Sequence, residues 1–178
     1  MKKIETPRLV LREWNEGDLY DLFDIMKSPS VLAGGFEPHS NTDASAELLR
    51  KYIKSNDRLA IELKGIGRVI GCIGIVPDKN RGKFNAHSIN YVLSEHYRGN
   101  GYMTEAVRRI VQYAFEELDS DLLSAFCTSD NLKSKKILER CNFEYETTIK
   151  QGYKRFDGQT FDSVCYCILR SDYMKENC

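Results

Sequence analysis

The chain has 178 residues, with 26 Lys and Arg against 26 Asp and Glu, and 42% of its residues are hydrophobic. This length allows one domain with a core of its own, and the balanced charge predicts no general attraction to nucleic acid or to a membrane surface. Because no apolar run is long enough for a membrane span and Glu5, Arg8 and Arg12 interrupt any signal core, we expect a single domain over 1–178 that works in the cytoplasm.

The first part of the chain predicts a strand followed by two helices. Residues 8–14 (RLVLREW) read as a strand, and Asn15 with Asp18 three positions later predicts the start of a helix. A turn-rich stretch comes next, before a second amphipathic pattern. The apolar stripe of this second helix consists of Ala44, Leu48, Leu49, Tyr52 and Ile53.

The middle of the chain predicts a hairpin, a strand and a long helix. Residues 58–63 (RLAIEL) and 69–77 (VIGCIGIVP) read as strands joined by a turn at Lys64–Gly67. A further strand, SINYVLSE, runs into a turn with two glycines, and apolar residues then recur at helical spacing from Met103 to Leu118.

The last part predicts a strand at Leu122–Thr128, a short helix (SKKILERC) and two closing strands (FEYETTIKQ and SVCYCILR). The element order is therefore β-α-α-β-β-β-α-β-α-β-β. A strand-helix-strand unit in the middle predicts one parallel pair, and the hairpins on either side predict a mixed sheet. The fold class is α/β or α+β, with helices covering the sheet.

The six cysteines predict buried thiols and no metal site. They are Cys72, Cys127, Cys141, Cys165, Cys167 and Cys178. No C-x-x-C pair is present, which disfavours zinc, and disulfides are not expected without a secretion signal. Cys165 and Cys167 would share one face of a strand, where free thiols pack as small hydrophobic groups.

The turn at Arg98-Gly99-Asn100-Gly101 lies between a strand and the most strongly patterned helix. A helix N-terminus has unpaired N–H groups and a partial positive charge, and glycine lets the backbone approach a ligand closely. The arrangement therefore indicates a phosphate cradle. A tight turn without a ligand would look similar, because a lone G-x-G is weak evidence.

Two common phosphate motifs do not fit this turn. The chain contains no G-x-x-x-x-G-K-[ST], which disfavours a P-loop protein. A dinucleotide fingerprint needs a third glycine where Thr104 stands, and the closing hairpins do not suit a doubly wound sheet. GIGRVIG, at 65–71, has the wrong spacing and precedes a strand.

A third possibility is coenzyme A. The run from Tyr97 to Ala106 (YRGNGYMTEA) resembles the coenzyme A motif of the GNAT N-acetyltransferases, in the branch that includes the ribosomal-protein alanine N-acetyltransferases. A second block from Asn131 to Phe143 (NLKSKKILERCNF) is similar to that branch's N-x-x-S-x-x-[VI]-L-E-[KR]-x-G-F. Asn142 replaces the usual glycine, and asparagine is the next-best residue at a left-handed helix end.

The resemblance implies a GNAT-like mixed, mostly antiparallel central sheet of about seven strands flanked by about four helices. It implies transfer of an acetyl group from acetyl-CoA to a primary amine, with no metal, in a monomer or homodimer. The acceptor would be a protein N-terminus of the ribosomal type or a small amine such as a polyamine, amino acid or antibiotic. A module that binds acetyl-CoA without turnover and a dinucleotide enzyme stay as alternatives.

The same resemblance implies the site residues. Ser134 would support the departing sulfur, because Leu138 stands where many GNAT enzymes have a tyrosine. A backbone N–H near Val92 or Leu93 would stabilise the oxyanion. The full set of implied cofactor-binding residues is Tyr91, Val92, Leu93, Arg98, Gly99, Asn100, Gly101, Tyr102, Met103, Thr104, Asn131 and Ser134.

The general base and the acceptor-binding residues are not specified by any motif. Candidate bases are Glu62, Glu95, His87, Glu144 and Asp162, and a chain of water molecules is a further possibility. The resemblance would place four residues near an acceptor, although core packing or plain exposure explains them equally well: His39, Trp14, Phe36 and Tyr153.

Overall fold

The computed structural model describes residues 3–177, so Cys178 lies outside the described part. The chain divides into two compact units, one formed by residues up to Gly74 together with Tyr91–Ala106, the other by Ile75–Asn90 together with the chain from Val107 onward. The expectation of one domain over 1–178 stays a prediction.

The described residues form eight strands and five α-helices, besides short 3-10 turns. The strands are β1 (Ile4–Glu5), β2 (Leu9–Arg12), β3 (Arg58–Leu63), β4 (Arg68–Pro77), β5 (Ala86–Leu93), β6 (Leu122–Thr128), β7 (Glu144–Lys154) and β8 (Thr160–Leu169). The helices are α1 (Leu19–Met26), α2 (Thr42–Ser55), α3 (Tyr102–Glu116), α4 (Leu132–Arg140) and α5 (Arg170–Asn177). The mixed, mostly antiparallel sheet expected from the sequence is confirmed.

In the first unit the strand order is β1-β2-β3-β4-β5. The predicted hairpin is confirmed, because β3 and β4 pair antiparallel and the N–H groups of Ile66 and Gly67 close the turn onto the carbonyl of Leu63. Helices α1 and α2 cover a core that includes Leu22, Ile25 and Leu49. Burying these side chains supplies the main stabilisation of the unit.

The predicted cap at Asn15 is also confirmed. Its side-chain oxygen accepts a hydrogen bond from Gly17 N–H at 2.9 Å, and the Asp18 carboxylate accepts from Asn15 N–H at the same distance. Asp18 is buried and holds a two-pronged ion pair with Arg12, with both N···O distances 2.8 Å. The hydrogen bond to Asp18 and the charge of that carboxylate raise the pKa of Arg12, against the opposing effect of burial.

In the second unit the strand order is β4-β5-β6-β8-β7. The predicted parallel pair is confirmed: β5 and β6 pair from Ala86 opposite Leu122 to Ile89 opposite Ala125. The pairing ends there, although β6 continues to Thr128. Asn142 has a φ of 63°, so the expected left-handed end of α4 is confirmed.

Three details differ from the sequence-based expectation. There are eight strands instead of about seven, because β1 has only two residues and exists by pairing with β2, Ile4 opposite Leu11. There are five α-helices instead of about four, because α5 (RSDYMKEN) has no apolar stripe to reveal it. The helix expected to reach Leu118 ends at Glu116.

The cysteines in residues 3–177 are free thiols, and all but the half-buried Cys167 are buried. Cys165 and Cys167 both approach the Glu146 carboxylate, as expected for one face of a strand. In this described range no group of three ligand-type side chains could hold a metal ion, and no helix has the length and hydrophobicity of a membrane span.

Gly71 allows β4 to approach β5 closely. A Cβ atom built there would lie 2.5 Å from the Val92 carbonyl oxygen and 3.2 Å from the Leu93 Cα, both backbone atoms. We therefore expect Gly71→Ala to lower the free energy of unfolding by about 1–3 kcal/mol, measured by chemical denaturation. Gly65→Ala is the control, since nothing lies within 4 Å of that position; equal stability of the two variants would contradict the close approach.

Candidate functional site

The last residues of β5 lead into the predicted site within the first unit. Val92 is buried, whereas Tyr91 and Leu93 are half-buried. The carbonyl of Val92 faces Gly71 at close range. After the strand, Ser94 N–H donates to the Ile70 carbonyl at 2.9 Å, which fixes the point at which the chain leaves the sheet.

The turn after β5 has the geometry that a phosphate cradle requires. Gly99 and Gly101 have φ angles of 83° and 78°, in the left-handed region that favours glycine. Among the hydrogen bonds within residues 3–177, none has the backbone N–H of Gly99, Asn100 or Gly101 as its donor. These three exposed groups precede a helix of 15 residues, α3, whose N-terminus adds a partial positive charge.

Two side chains hold the turn from within. The Asn100 amide donates to the carbonyls of Tyr97 and Arg98, both at 3.2 Å. The Arg98 guanidinium donates to the Leu93 carbonyl at 3.2 and 3.3 Å. Arg98, one of the implied cofactor-binding residues, thus ties the turn to the end of β5.

A carboxylate from α3 connects the turn to the N-terminal strand. Glu105 accepts hydrogen bonds from the Thr6 hydroxyl at 2.6 Å, the Arg8 backbone N–H at 2.9 Å and the Arg8 side chain at 2.6 Å. Arg8 also donates to the Asn100 carbonyl at 3.0 Å and lies 4.6 Å from the centre of the Tyr102 ring. Burial alone would raise the pKa of Glu105, but the hydrogen bonds from Thr6 and Arg8 lower it overall.

Sequence reasoning did not find Thr6, Arg8 or Glu105 as site residues. Glu105 and Arg8 are separated by 97 positions, so no local pattern connects them. The remaining predicted residues on α3 differ in exposure. Met103 is buried, with 3% of its surface exposed, while Tyr102 and Thr104 are half-buried. Met103 therefore offers a ligand its backbone rather than its side chain.

The two other predicted residues belong to the second unit, at the start of α4. Asn131 caps this helix, because its side-chain oxygen accepts from the Ser134 backbone N–H at 3.1 Å. Ser134 is 9% exposed, and its hydroxyl contacts the Cys127 thiol. Burial raises the pKa of that thiol, so Cys127 is neutral at physiological pH.

Most candidate bases already have a partner. Glu62 pairs with Arg12 at 2.6 Å, and Asp162 accepts from the Gln151 backbone N–H at 2.9 Å. His87 lies 2.7 Å from the Ser120 hydroxyl, and burial lowers the pKa of His87. His39, a candidate acceptor contact and not a candidate base, lies 2.7 Å from the Ser45 hydroxyl, and burial likewise lowers its pKa. Glu95 is exposed.

A groove of about 820 Å³ lies on the second unit, and it contains none of the predicted cofactor-binding residues. Arg108, Arg140, Tyr145 and Tyr173 contribute to its walls. Of the candidate bases only Glu144 lines it. The groove therefore shares no residue with the turn that carries the phosphate-binding geometry.

The family model of the acetyltransferase (GNAT) domain matches residues 8–144. The chain belongs to the GNAT family and is an N-acetyltransferase, as the turn and the two sequence blocks predicted. Its relatives include the uncharacterized N-acetyltransferase YoaA of Bacillus subtilis (strain 168), which is 26% identical over 94% of this chain and 96% of its own length.

Two solved structures share the fold. One, from Vibrio cholerae, is provisionally named a ribosomal-protein-serine acetyltransferase; it has a TM-score of 0.79 and 18% identity over 94% of this chain and 97% of its own. The other is the spermidine N-acetyltransferase of Vibrio cholerae in complex with CoA and spermine, with a TM-score of 0.77 and 21% identity over 95% of this chain and 99% of its own. GNAT acetyltransferases use acetyl-CoA.

Replacing Gly101 tests the cradle. Gly101→Val should weaken acetyl-CoA binding at least about tenfold, because a β-branched residue at a φ of 78° costs roughly 1–2 kcal/mol and displaces the turn. Binding is measured by calorimetry. Gly67→Val, at a φ of 64° in the β3–β4 turn, is the control for backbone strain. It should lose similar stability and keep its affinity, whereas unchanged affinity in Gly101→Val would place the cradle elsewhere.

Proposed function

We propose that this enzyme moves an acetyl group from acetyl-CoA to the primary amine of a protein N-terminus. The observation that supports acetyl-CoA as the donor is the turn at Gly99, Asn100 and Gly101, whose three backbone N–H groups have no acceptor within residues 3–177. Phosphate oxygens would satisfy these groups, and the start of α3 favours negative charge. The Thr6–Arg8–Glu105 network holds the turn in this shape.

The chemistry assigns further roles. The neutral amine nitrogen attacks the thioester carbon, a C–N bond forms, the C–S bond breaks, the nitrogen loses a proton and the sulfur gains one. Backbone N–H near Val92 or Leu93 would stabilise the negative oxygen that develops on the thioester. Ser134 would donate to the departing sulfur, and Asn131 would hold the pantetheine or sugar-phosphate side while capping α4.

The resemblance to the ribosomal-protein branch, which extends over two blocks of the sequence, supports a protein N-terminus as the acceptor. The similarity to the ribosomal-protein-serine acetyltransferase structure agrees with it. A polyamine is the second candidate, because a spermidine N-acetyltransferase shares the fold at a TM-score of 0.77. A module without turnover is a weaker alternative, since Ser134 is intact.

The first experiment is the thermal shift of the purified chain with acetyl-CoA, with NAD alongside. Acetyl-CoA at about 100 times its dissociation constant should add roughly 2.7 kcal/mol of stability, while NAD should add none. Transfer is then followed by release of the free thiol, with an alanine- or serine-initiated peptide and with spermidine as acceptors. A shift with NAD alone would contradict the proposal, and thiol release with spermidine alone would favour the second candidate.

Ser134→Ala separates catalysis from binding. Loss of the hydroxyl should lower kcat by roughly a hundredfold or more and leave acetyl-CoA affinity within about twofold. The backbone N–H that donates to Asn131 is retained in this variant, so α4 keeps its cap. Unfolding by denaturant serves as the control for stability. Equal loss of kcat and affinity would make Ser134 a binding residue.

A further inference from the structure

Three hydrogen-bond donors are buried without a partner in the first unit. They are the indole Nε1 of Trp14, the hydroxyl of Tyr52 and the Nη1 of Arg58, none of which has a hydrogen-bond partner within residues 3–177. Trp14 and Tyr52 are only 5% and 6% exposed. Buried polar groups in folded proteins are nearly always hydrogen-bonded, so three orphans of one kind need an explanation.

The three donors belong to one cluster. The ring centroids of Trp14 and Tyr52 lie 5.6 Å apart, and the guanidinium carbon of Arg58 lies 5.4 Å from the centre of the Tyr52 ring. Trp14 follows β2, Tyr52 comes from α2 and Arg58 begins β3. Trp14 is distant in sequence from Tyr52 and Arg58, so the fold brings it to the other two side chains.

The protein supplies no strong acceptor to this cluster. Tyr52 and Arg58 both approach the Cys72 thiol, which is 1% exposed. Burial raises the pKa of Cys72, so the thiol is neutral, and neutral sulfur is a weak acceptor. Burial likewise raises the pKa of Tyr52, so its hydroxyl stays a donor. Among the described residues no carboxylate forms an ion pair with Arg58.

The cluster lies beside the segment of β5 that carries the candidate oxyanion donors. Cys72 contacts the backbone of Val92, and Gly71 lies against the Val92 carbonyl. The cluster reaches the surface through Arg58 and Phe36, which are both half-buried and lie 5.8 Å apart, guanidinium to ring centre. A ligand that enters past Phe36 would thus meet the donors close to β5.

We propose that Trp14, Tyr52 and Arg58 form a subsite for a carbonyl or carboxylate oxygen next to the amine that is acetylated. The inference rests on the proposed acetyl transfer and specifies its acceptor. Three donors, one of them cationic, match an oxygen with partial or full negative charge. A peptide N-terminus or a free amino acid has such an oxygen on the carbonyl carbon next to the Cα atom that carries the amine. A polyamine has none, and its charges are repelled by Arg58.

The test compares Tyr52→Phe with wild type on an alanine-initiated peptide, free alanine and spermidine. The substitution removes one hydroxyl, whose contact within the protein is the weakly accepting Cys72 thiol. The kcat/KM for the peptide or for alanine should therefore fall roughly tenfold, while acetyl-CoA affinity and any activity on spermidine stay within about twofold. The unfolding midpoint should be unchanged or higher, because the variant no longer buries an unpaired hydroxyl.

Two further variants make the comparison specific. Trp14→Phe removes a second donor and should show the same selective loss. Tyr20→Phe is the matched control, since Tyr20 lies on α1 of the same unit and is 72% exposed; it should change neither activity nor stability. Preference for the peptide identifies a carbonyl as the ligand, and preference for free alanine identifies a carboxylate.

Three results of the activity measurements would overturn the subsite. They are equal losses on peptide and spermidine in Tyr52→Phe, no loss on either acceptor, and a wild-type enzyme that acetylates spermidine alone. A lower unfolding midpoint in Tyr52→Phe would count equally, since it would reveal a partner for the hydroxyl inside the protein. If wild type neither binds acetyl-CoA nor releases thiol, the proposed function fails by itself. Calorimetry of the peptide on wild type and Tyr52→Phe then decides the subsite, and equal or absent binding would reject it.

Discussion

The carboxylate of Glu105 is the group on which the shape of the glycine turn depends. It accepts from Thr6 and twice from Arg8, and Arg8 in turn holds the Asn100 carbonyl. The turn itself supplies little rigidity, because two of its residues are glycines at positive φ. Its open N–H groups stay aligned because the Arg8–Glu105 ion pair links the segment between β1 and β2 to the first turn of α3. Such a pair contributes more to preorganisation than to global stability, because Arg8 is largely exposed.

Strand β5 connects this turn to the rest of the sheet, and its two halves have different surroundings. Its first half pairs with β6 in parallel up to Ile89. Its second half lies against β4, where Gly71 permits contact with the Val92 carbonyl, and it ends where Arg98 binds the Leu93 carbonyl. The predicted cofactor-binding residues at the end of β5 therefore belong to a segment whose backbone is fixed at both ends, as an oxyanion donor would require.

The parts of the fold that could be predicted from sequence are those with a local signal. The helical spacing of α3, the cap at Asn15, the β3–β4 hairpin and the left-handed Asn142 each follow from residues close together in the chain. Helix α5 gave no apolar stripe, and the two-residue β1 exists only through β2. The Arg8–Glu105 pair could not be predicted, because a charged residue at an exposed strand end has many possible partners and only the tertiary fold selects one.

Under the two proposals, donor and acceptor recognition depend on different kinds of groups, which would explain how one fold accommodates several amines. Under the proposed function the phosphates of acetyl-CoA are bound by backbone N–H groups, whose direction depends on Gly99 and Gly101 and hardly on neighbouring side chains. Under the proposed subsite the acceptor would be bound by the side-chain donors of Trp14, Tyr52 and Arg58, which substitution can change without disturbing the turn. A related enzyme that acetylates a polyamine needs acceptors or carboxylates at such positions, because a polyamine presents only N–H donors and positive charge. The shared fold thus indicates the acetyl donor, and the polarity of a few buried side chains indicates the acceptor.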